Sequence, residues 1–250
     1  MPPIASDALI LKTSKLGETS KVVILLTRER GKVRAVAKGA RGAKSRYQSA
    51  LEPLSEVRVG LYGRQGTELF RLGQCELVHS AFPVRGGSLE TSLTLSYFAE
   101  LLDAFVQEGE AEDAVYRLAI ATVRAAEEGR EIVALARYLE AWLLRLGGLY
   151  PSLERCARCG GGLPAGAFVY HQGAHGFICE SCGPATGPIL LAETRLFLRE
   201  IFAQAPAAAP ALPAEAQVLA GFHQNLIRRH LERDLRSYRV LRDVARGNAS

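Results

Sequence analysis

The sequence predicts an α+β protein in which a small N-terminal β-barrel precedes an α-helical domain with an inserted four-cysteine ribbon. Three observations predict this fold class. Five short runs rich in Val, Leu and Thr fill residues 1–80, helical periodicity begins at Ser88, and two Cys-x2-Cys pairs lie within residues 156–182. The predicted domains are residues 1–80 (barrel), 81–155 (helical domain, first part), 156–187 (ribbon insert) and 188–250 (helical domain, second part).

The barrel is predicted from the spacing of its strands and turns. The predicted strands are residues 8–13, 20–27, 32–37, 55–62 and 68–79. Tight turns at residues 28–31 and 63–66 join two pairs of strands, and a longer basic connection follows the third strand. This pattern favours a closed five-stranded barrel of the OB-fold type, although an open five-stranded sheet would give the same pattern.

From Ser88 onward the apolar residues recur with helical spacing. Ser88 suits the N-cap of a first helix, and Gly109 suits its stop. Further helices are predicted over about residues 112–128, 131–146 and 192–203. A final helix is predicted from about residue 214, with a basic end that contains Arg228, Arg229, Arg233, Arg236, Arg239 and Arg242.

Charge is distributed unevenly along the chain. The formal net charge of +5 combines +7 in residues 1–80 (14 basic against 7 acidic), −5 in residues 81–155 (7 against 12) and +3 in residues 156–250 (10 against 7). Basic regions on either side of an acidic middle can offer a polyanion two contact surfaces and a protein partner a third.

The sequence carries no sign of a membrane or secreted protein. No stretch approaches the roughly 20 consecutive apolar residues of a membrane-spanning helix. Residues 1–7 lack the basic start of a signal peptide. Five cysteines, four of them in metal-ligand spacing, suit a reducing compartment. We therefore expect a cytoplasmic protein.

The strongest spacing signal is Cys156-x2-Cys159, followed after 19 residues by Cys179-x2-Cys182. Zn²⁺ takes four thiolates tetrahedrally, and two residues between ligands let one tight turn supply a pair. We expect one structural zinc ion per chain, because four thiolates leave no open coordination position. Two disulfides would require an oxidising compartment, and a thioredoxin-like redox pair would require a βαβ setting that the sequence lacks.

A second pattern is the basic segment, residues 32–46, which contains no acidic residue. Spaced positive charges with glycines between them suit a phosphodiester backbone, because each neutralised phosphate releases counterions. The same residues could form an ordinary solvated loop, and the second basic cluster near the C-terminus favours nucleic acid. A nucleotide phosphate loop is excluded, because Ala43 and not glycine precedes Lys44. The predicted nucleic-acid contacts are Lys32, Arg34, Lys38, Arg41, Lys44 and Arg46.

Side chains outside these two patterns are expected to have structural roles. Cys75 lies on a predicted strand as a small core residue, and His171 and His175 are expected to be solvated in the ribbon. Tyr62 and Phe70 also lie on predicted strands, where core packing is expected. So few available aromatic side chains favour binding to the nucleic-acid backbone over readout of its bases.

Several motifs together resemble one protein family. The motif Tyr97-Phe98-Ala99-Glu100-Leu101-Leu102 is similar to the first long helix of the RecO family, the bacterial recombination mediators. Gly147-Gly148-Leu149-Tyr150-Pro151-Ser152-Leu153, leading into the first cysteine pair, resembles the family's approach to its zinc site. The N-terminal signature of the family resembles Gly31-Lys32-Val33, Ala37-Lys38-Gly39-Ala40-Arg41, Lys44-Ser45-Arg46 and Leu51-Glu52-Pro53-Leu54.

The resemblance implies an OB-fold, a helical domain and a zinc ribbon. It implies a nucleoid-associated protein that binds single- and double-stranded DNA, anneals complementary strands and helps to load RecA onto DNA coated with single-strand-binding protein. RecR and single-strand-binding protein would be its partners.

Two other functions compete with this one. An RNA-binding adaptor of translation or transcription would share the barrel and the ribbon, and a preference for RNA over DNA would distinguish it. An enzyme would need an open metal position or carboxylates clustered near the basic segment, and the sequence indicates neither. We therefore expect a binding protein and not an enzyme.

Overall fold

The computed structural model of the protein describes residues 3–64, 66–81, 84, 86–183 and 187–247. The protein forms two compact units, one made of Met1–Gly129 with Asp234–Ser250 and the other of Arg130–Arg233. The chain therefore leaves the first unit after its second long helix and returns to it for the last one. The predicted domains, by contrast, place all of the helices in one helical domain.

The first unit contains the closed barrel. Its strands are β1 (Ile4–Leu16), β2 (Ser20–Thr27), β3 (Gly31–Ala37), β4 (Glu56–Tyr62) and β5 (Leu69–His79). They hydrogen-bond in the order β1-β2-β3-β5-β4, and β4 pairs with β1 to close the barrel. Only the pairing of β3 with β5 is parallel. The closed order confirms the predicted OB-fold barrel over the open sheet.

The barrel interior follows from the two-residue alternation of its strands. In β3 the side chains of Val33, Ala35 and Ala37 are buried in the core. Lys32 and Arg34 alternate with them, and therefore lie on the outer side of the barrel. The core is one apolar cluster to which all five strands contribute. The same alternation that fills the barrel thus presents the cations of β3 on its surface.

In the described part of the first unit, the barrel is followed by the long helices α1 (Leu89–Phe105) and α2 (Asp113–Glu127). Ser88 is the N-cap of α1, as the sequence predicts. Its hydroxyl oxygen accepts a hydrogen bond of 3.0 Å from the Thr91 backbone N–H. This bond satisfies one of the backbone donors that the first turn of a helix leaves unpaired, so the serine defines where α1 begins.

The connection between α1 and α2 is held against the start of β3. The Lys32 backbone N–H donates to the Gln107 carbonyl at 3.3 Å, and the Gly109 N–H donates to the Lys32 carbonyl at 3.1 Å. Gly31 has a positive φ of 59°, and a Cβ at this position would lie 1.7 Å from the Glu110 carbonyl oxygen. Only glycine allows so close an approach, which brings an acidic connection against the basic strand.

The α-helices described in the second unit are α3 (Ile132–Leu146), α4 (Ala192–Ala203) and α5 (Ala216–Leu231). The bounds of α3 and α4 lie within one residue of the predicted helices. The aromatic rings of Trp142 on α3 and Phe202 on α4 are 5.6 Å apart at 86°, an edge-to-face contact that joins the two helices. Within the part of the chain that the structure describes, every helix is too short or too polar to cross a membrane.

The ribbon forms a small antiparallel sheet in the second unit. Its strands are β6 (Phe168–His171), β7 (Gly176–Ile178) and β8 (Ile189–Leu190), in the order β7-β6-β8. Phe177 of β7 lies 5.5 Å from the ring of Phe222 on α5. β6 and β7 form an antiparallel hairpin, and its aromatic side chains pack against a helix of the same unit.

The predicted single C-terminal helix is wrong, because the structure has two helices there. After α5 the chain turns at Glu232, which has a left-handed φ of 54°, and α6 (Arg236–Gly247) begins beyond it. Leu235 between them is buried in the first unit. The Glu100 carboxylate of α1 accepts hydrogen bonds from the backbone N–H groups at the start of α6. Burial of this leucine and the carboxylate cap stabilise the break.

Candidate metal centre and nucleic-acid interface

The four cysteines predicted to bind metal meet in one cluster in the second unit. Their Sγ atoms all lie within 4.8 Å of one another. Cys159 Sγ lies 3.7 Å from Cys179 Sγ. Two thiolates bound to one Zn²⁺ at about 2.3 Å in a tetrahedron would lie roughly 3.8 Å apart. The cluster therefore has the donor set and the dimensions of a metal site, and none of its cysteines is paired in a disulfide.

Backbone hydrogen bonds of the ribbon bring the two cysteine pairs together. The Gly160 N–H donates to the Cys156 carbonyl at 2.9 Å, which closes the first turn. The Ala157 N–H donates to the Phe177 carbonyl at 2.8 Å, which ties that turn to β7. Because β7 ends one residue before Cys179, the same strand delivers the second pair to the first.

Hydrogen bonds within the cluster separate the pKa values of its thiols. Backbone hydrogen bonds from Cys159 and then from Cys179 lower the pKa of Cys156 to about 6. Hydrogen bonding with Cys179 and then with Cys159 raises the pKa of Cys182 to about 12. Four adjacent thiolates repel one another unless a cation is shared among them, so the arrangement suits an ion that replaces their protons.

The two ribbon histidines lie outside the cysteine cluster and contact arginines. Arg158 Nη2 lies 3.0 Å from His171 Nε2. Arg229 Nη2 of α5 lies 3.1 Å from His175 Nδ1. One ring nitrogen of each histidine is thus engaged with an arginine, and His171 Nδ1 accepts a hydrogen bond from the Ala174 N–H.

The predicted nucleic-acid contacts fall into three environments. Lys38 and Lys44 form the first: both side chains are exposed, and neither has an ion-pair partner among the residues that the structure describes. They follow β3 on the long connection to β4. An unpaired surface ammonium group can bind an external anion without first leaving a carboxylate, so these two lysines are the most available cations of the basic segment.

Arg41 and Arg46 form the second environment, in which exposed guanidinium groups are positioned by neutral partners. Arg41 Nη1 donates to the Gly17 carbonyl at 2.6 Å, which ties the basic segment to the turn between β1 and β2. Arg46 Nη2 donates to the Tyr47 hydroxyl at 2.9 Å, and its Cζ lies 5.0 Å from the centre of that ring. Among the described residues neither group has an ion-pair partner, and both have further N–H donors.

Lys32 and Arg34 form the third environment, in which carboxylates compensate the charge. Lys32 Nζ donates to the Asp103 carbonyl at 2.6 Å and lies 3.4 Å from its Oδ1, and the lysine side chain is only 15% exposed. Arg34 Nη2 lies 2.6 Å from Glu108 Oε1, with side chains 54% and 41% exposed. The sequence pattern could not reveal these pairs, because the partners lie about 70 residues away along the chain.

The second predicted basic cluster is divided between the two units. Arg228, Arg229 and Arg233 lie in the second unit, whereas the arginines of α6 lie in the first, with the barrel. On α6 three exposed arginines lie about one helical turn apart: Arg236, Arg239 and Arg242.

The second unit contains a buried polar network that is not among the predicted sites. His223 Nδ1 lies 3.0 Å from Glu140 Oε2, and its Nε2 lies 2.9 Å from the Tyr150 hydroxyl. Arg137 Nη2 donates to Glu140 Oε1 at 2.7 Å. Glu140 and His223 are both 0% exposed, so this network is inaccessible to a substrate and has a structural role. The only sequence signal for it is a charged pair on the apolar face of α3.

Comparison with known protein families covers almost the entire chain. Residues 1–81 match the family described as Recombination protein O N terminal. Residues 87–239 match the family described as Recombination protein O C terminal. The first match corresponds to the barrel, and the second contains the four-cysteine cluster.

Full-length relatives show the same relationship. The chain is 32% identical over 234 residues to a DNA repair protein RecO of Koribacter versatilis, covering 92% of this chain and 94% of the relative. It is 31% identical over 253 residues to one of Anaeromyxobacter sp. (strain K), covering 98% of each. It is 33% identical over 241 residues to one of Pelotomaculum thermopropionicum, covering 94% of this chain and 92% of the relative.

Proposed function

Because this chain belongs to the RecO family of DNA repair proteins, with a role in recombinational repair, we propose that it binds single- and double-stranded DNA and anneals complementary strands. It would also help to load RecA onto DNA coated with single-strand-binding protein, with RecR and single-strand-binding protein as partners. Its place of action would be the cytoplasm, at the nucleoid. It would act by binding and not by catalysis.

The observation that carries the DNA-binding proposal is the availability of Lys38 and Lys44. Both are exposed on the connection that follows β3, and neither has an ion-pair partner in the described part of the chain. Arg41 and Arg46 beside them are exposed and hydrogen-bonded to neutral groups. Four uncompensated cations on one connection of an OB-fold barrel suit the phosphates of a DNA strand.

Lys32 and Arg34 would contribute to DNA binding only after exchanging their carboxylate partners for phosphates. Arg34 is half exposed beside Glu108, so a phosphate can reach its guanidinium group. Lys32 is mostly buried beside Asp103. We therefore rank Arg34 as a secondary contact, and Lys32 chiefly as a link between the barrel and α1.

We propose that the cysteine cluster holds one zinc ion with a structural role. The ligands would be Cys156, Cys159, Cys179 and Cys182, whose four thiolates leave no position for a substrate or a reactive water. The ion would contribute folding free energy to the ribbon by joining the two cysteine turns.

The experiment that tests the DNA-binding proposal is a salt series of fluorescence anisotropy with labelled single-stranded DNA and competing RNA of the same length. The triple variant Lys38→Ala, Arg41→Ala, Lys44→Ala should bind every DNA sequence more weakly by a similar factor. Each lost phosphate contact should reduce the magnitude of the log–log salt slope by about 0.7. The matched control removes three arginines that lie in surface ion pairs elsewhere: Arg58→Ala, Arg117→Ala and Arg199→Ala.

The control distinguishes a defined contact site from a general charge effect. An equal loss in both triple variants would reject the basic segment as the site. A loss confined to one DNA sequence would reject backbone-led binding. A decisive preference for RNA would favour the adaptor of translation or transcription.

A further inference from the structure

The barrel surface carries an open groove of ≈ 420 Å³. The residues that line it are Arg46, Tyr62, Arg71, Gly73, Gln74 and Cys75. They come from the end of β4, from β5 and from the basic segment. None of these described lining residues is a carboxylate, so the groove combines positive charge, one aromatic ring and one amide.

Tyr62 reverses an expectation from the sequence. The tyrosine was expected in the barrel core with Phe70, and Phe70 is indeed buried, but Tyr62 is 41% exposed. β5 has a bulge where it pairs with β4. Val59 pairs with Cys75 and Leu61 with Leu72, so two residues of β5 lie opposite one residue of β4. Bulges bend a strand locally and redirect side chains.

Gly73, within this bulge, makes room for the tyrosine ring. A Cβ at this position would lie 2.3 Å from Tyr62 Cε2 and 2.9 Å from its Cδ2. The ring therefore rests directly on the β5 backbone, with its position determined by packing. The ring offers a flat stacking surface, and its side chain has already lost conformational entropy before a ligand binds.

Two guanidinium groups line the groove together with the ring. Arg71, the cross-strand partner of Tyr62, has its Cζ over the tyrosine ring, 5.9 Å from the ring centre. Arg46 is held by Tyr47, whose hydroxyl donates to the Leu72 carbonyl at 2.9 Å. The second tyrosine is buried and anchored to β5, so it keeps Arg46 at the groove.

We propose that this groove binds one unstacked nucleobase of a single strand, with Tyr62 as the stacking surface. The inference rests on the proposed DNA binding and adds a base-contact site to it. The Gln74 amide, exposed in the groove, has both a donor and an acceptor for a base edge. Arg46 and Arg71 contact the flanking phosphates. Stacking accepts any base, because every base has a π-face, so binding remains tolerant of sequence.

The test compares two single strands of equal length, one with normal bases and one with abasic sugars at every position. Both strands carry the same phosphate charge, but only the first has bases that can stack on the tyrosine ring. Tyr62→Ala should weaken binding of the normal strand about tenfold and leave the abasic strand unchanged. Tyr62→Phe keeps the ring and should bind both strands as the unaltered protein does. Val78→Ala, which removes an exposed apolar side chain from β5 outside the groove lining, is the matched control.

The outcomes separate this site from the proposed function. The stacking site would be overturned if Tyr62→Ala weakened binding of both strands equally. It would also be overturned if Tyr62→Phe weakened binding of the normal strand as much as Tyr62→Ala does. Binding of both strands with no effect of Tyr62→Ala would overturn it as well, and would leave phosphate-led DNA binding intact. Failure of the unaltered protein to bind either strand would remove the proposed function and this site together.

Discussion

Glu108 Oε1 lies 2.6 Å from Arg34 Nη2, and this contact joins the connection after α1 to the third strand of the barrel. The ion pair sits where the same connection adds backbone hydrogen bonds to β3. A cation predicted to bind DNA is therefore already paired within the protein. A phosphate would therefore compete with Glu108 for the Arg34 guanidinium group.

The first prediction concerns this competition. Glu108→Gln should free Arg34 and increase affinity for single-stranded DNA by about two- to fivefold, the range expected for a partly exposed ion pair. The magnitude of the log–log salt slope should rise by about 0.7, because one more phosphate contact forms. Anisotropy titrations across a salt series measure both quantities.

Glu90→Gln is the matched control, since it removes the same charge from the exposed start of α1. An equal gain in affinity for both variants would show a general charge effect. An unchanged slope in Glu108→Gln would contradict a phosphate contact at Arg34.

The second prediction concerns the cysteine cluster. Cys156→Ser with Cys159→Ser should abolish zinc binding and lower the melting temperature, because metal binding in such a site is folding free energy. A chelator should have the same effect on the unaltered protein. Metal analysis should give one zinc ion per chain and none in the double variant.

Cys75→Ala is the control, since this cysteine lies on β5 and outside the cluster. Burial raises the pKa of its thiol to about 11, so it is a poor metal ligand. Thermal stability that does not change on loss of the metal would count against a structural role.

The third prediction concerns the buried network of the second unit. Glu140→Ala should lower the free energy of unfolding by about 3–5 kcal/mol, because it leaves the Arg137 charge buried without its partner. Chemical denaturation measures this change. Glu154→Ala removes a carboxylate from an exposed ion pair with Arg199 and should have a far smaller effect. Similar losses in the two variants would contradict the importance of burial.

The fourth prediction is a pH dependence of stability from His223. Burial lowers the pKa of this histidine below its ordinary value of 6.5, and it faces Glu140, Arg137 and Tyr150. As the pH falls through about 6.5, His223 therefore becomes protonated in the unfolded chain while it stays neutral in the folded chain. It follows that the free energy of unfolding should fall as the pH decreases through this value.

Denaturation between about pH 7.5 and pH 5.5 tests this dependence. His223→Gln should be less stable at neutral pH and should lose less stability on acidification than the unaltered protein. His175→Gln, an exposed histidine of the same unit, should keep the original pH dependence. A steeper dependence in His223→Gln would reverse the assigned direction.

The fifth prediction concerns the return of the chain to the first unit. The Glu100 carboxylate accepts hydrogen bonds of 3.0 Å and 2.7 Å from the N–H groups of Arg236 and Ser237. Glu100→Ala should leave these donors unpaired and destabilise α6 by about 1–2 kcal/mol. Hydrogen exchange of the α6 amides measures the loss. Glu100→Gln retains one acceptor oxygen, so the protection of its α6 amides should lie between that of the unaltered protein and that of Glu100→Ala. Full protection of these amides in Glu100→Ala would contradict the cap.

Local sequence patterns were sufficient to predict most of the secondary structure. The predicted strand 20–27 coincides with Ser20–Thr27, and the predicted helix 192–203 coincides with Ala192–Ala203. Ser88 was recognised as an N-cap because a cap acts on backbone groups two or three residues away. The final helix was predicted too long, because the carboxylate that caps α6 comes from α1.

The sequence alone determined most of the elements, the barrel class and the four cysteines, since each depends on spacing within one short stretch of chain. Only the tertiary structure decided which cations are available: Lys38 and Lys44 are free of ion pairs among the described residues, whereas Arg34 is paired with Glu108. It also decided that Tyr62 lies in a groove and not in the core. The physical reason is that burial and charge compensation depend on groups distant in sequence, which come together only when the strands are in register and the helices are packed.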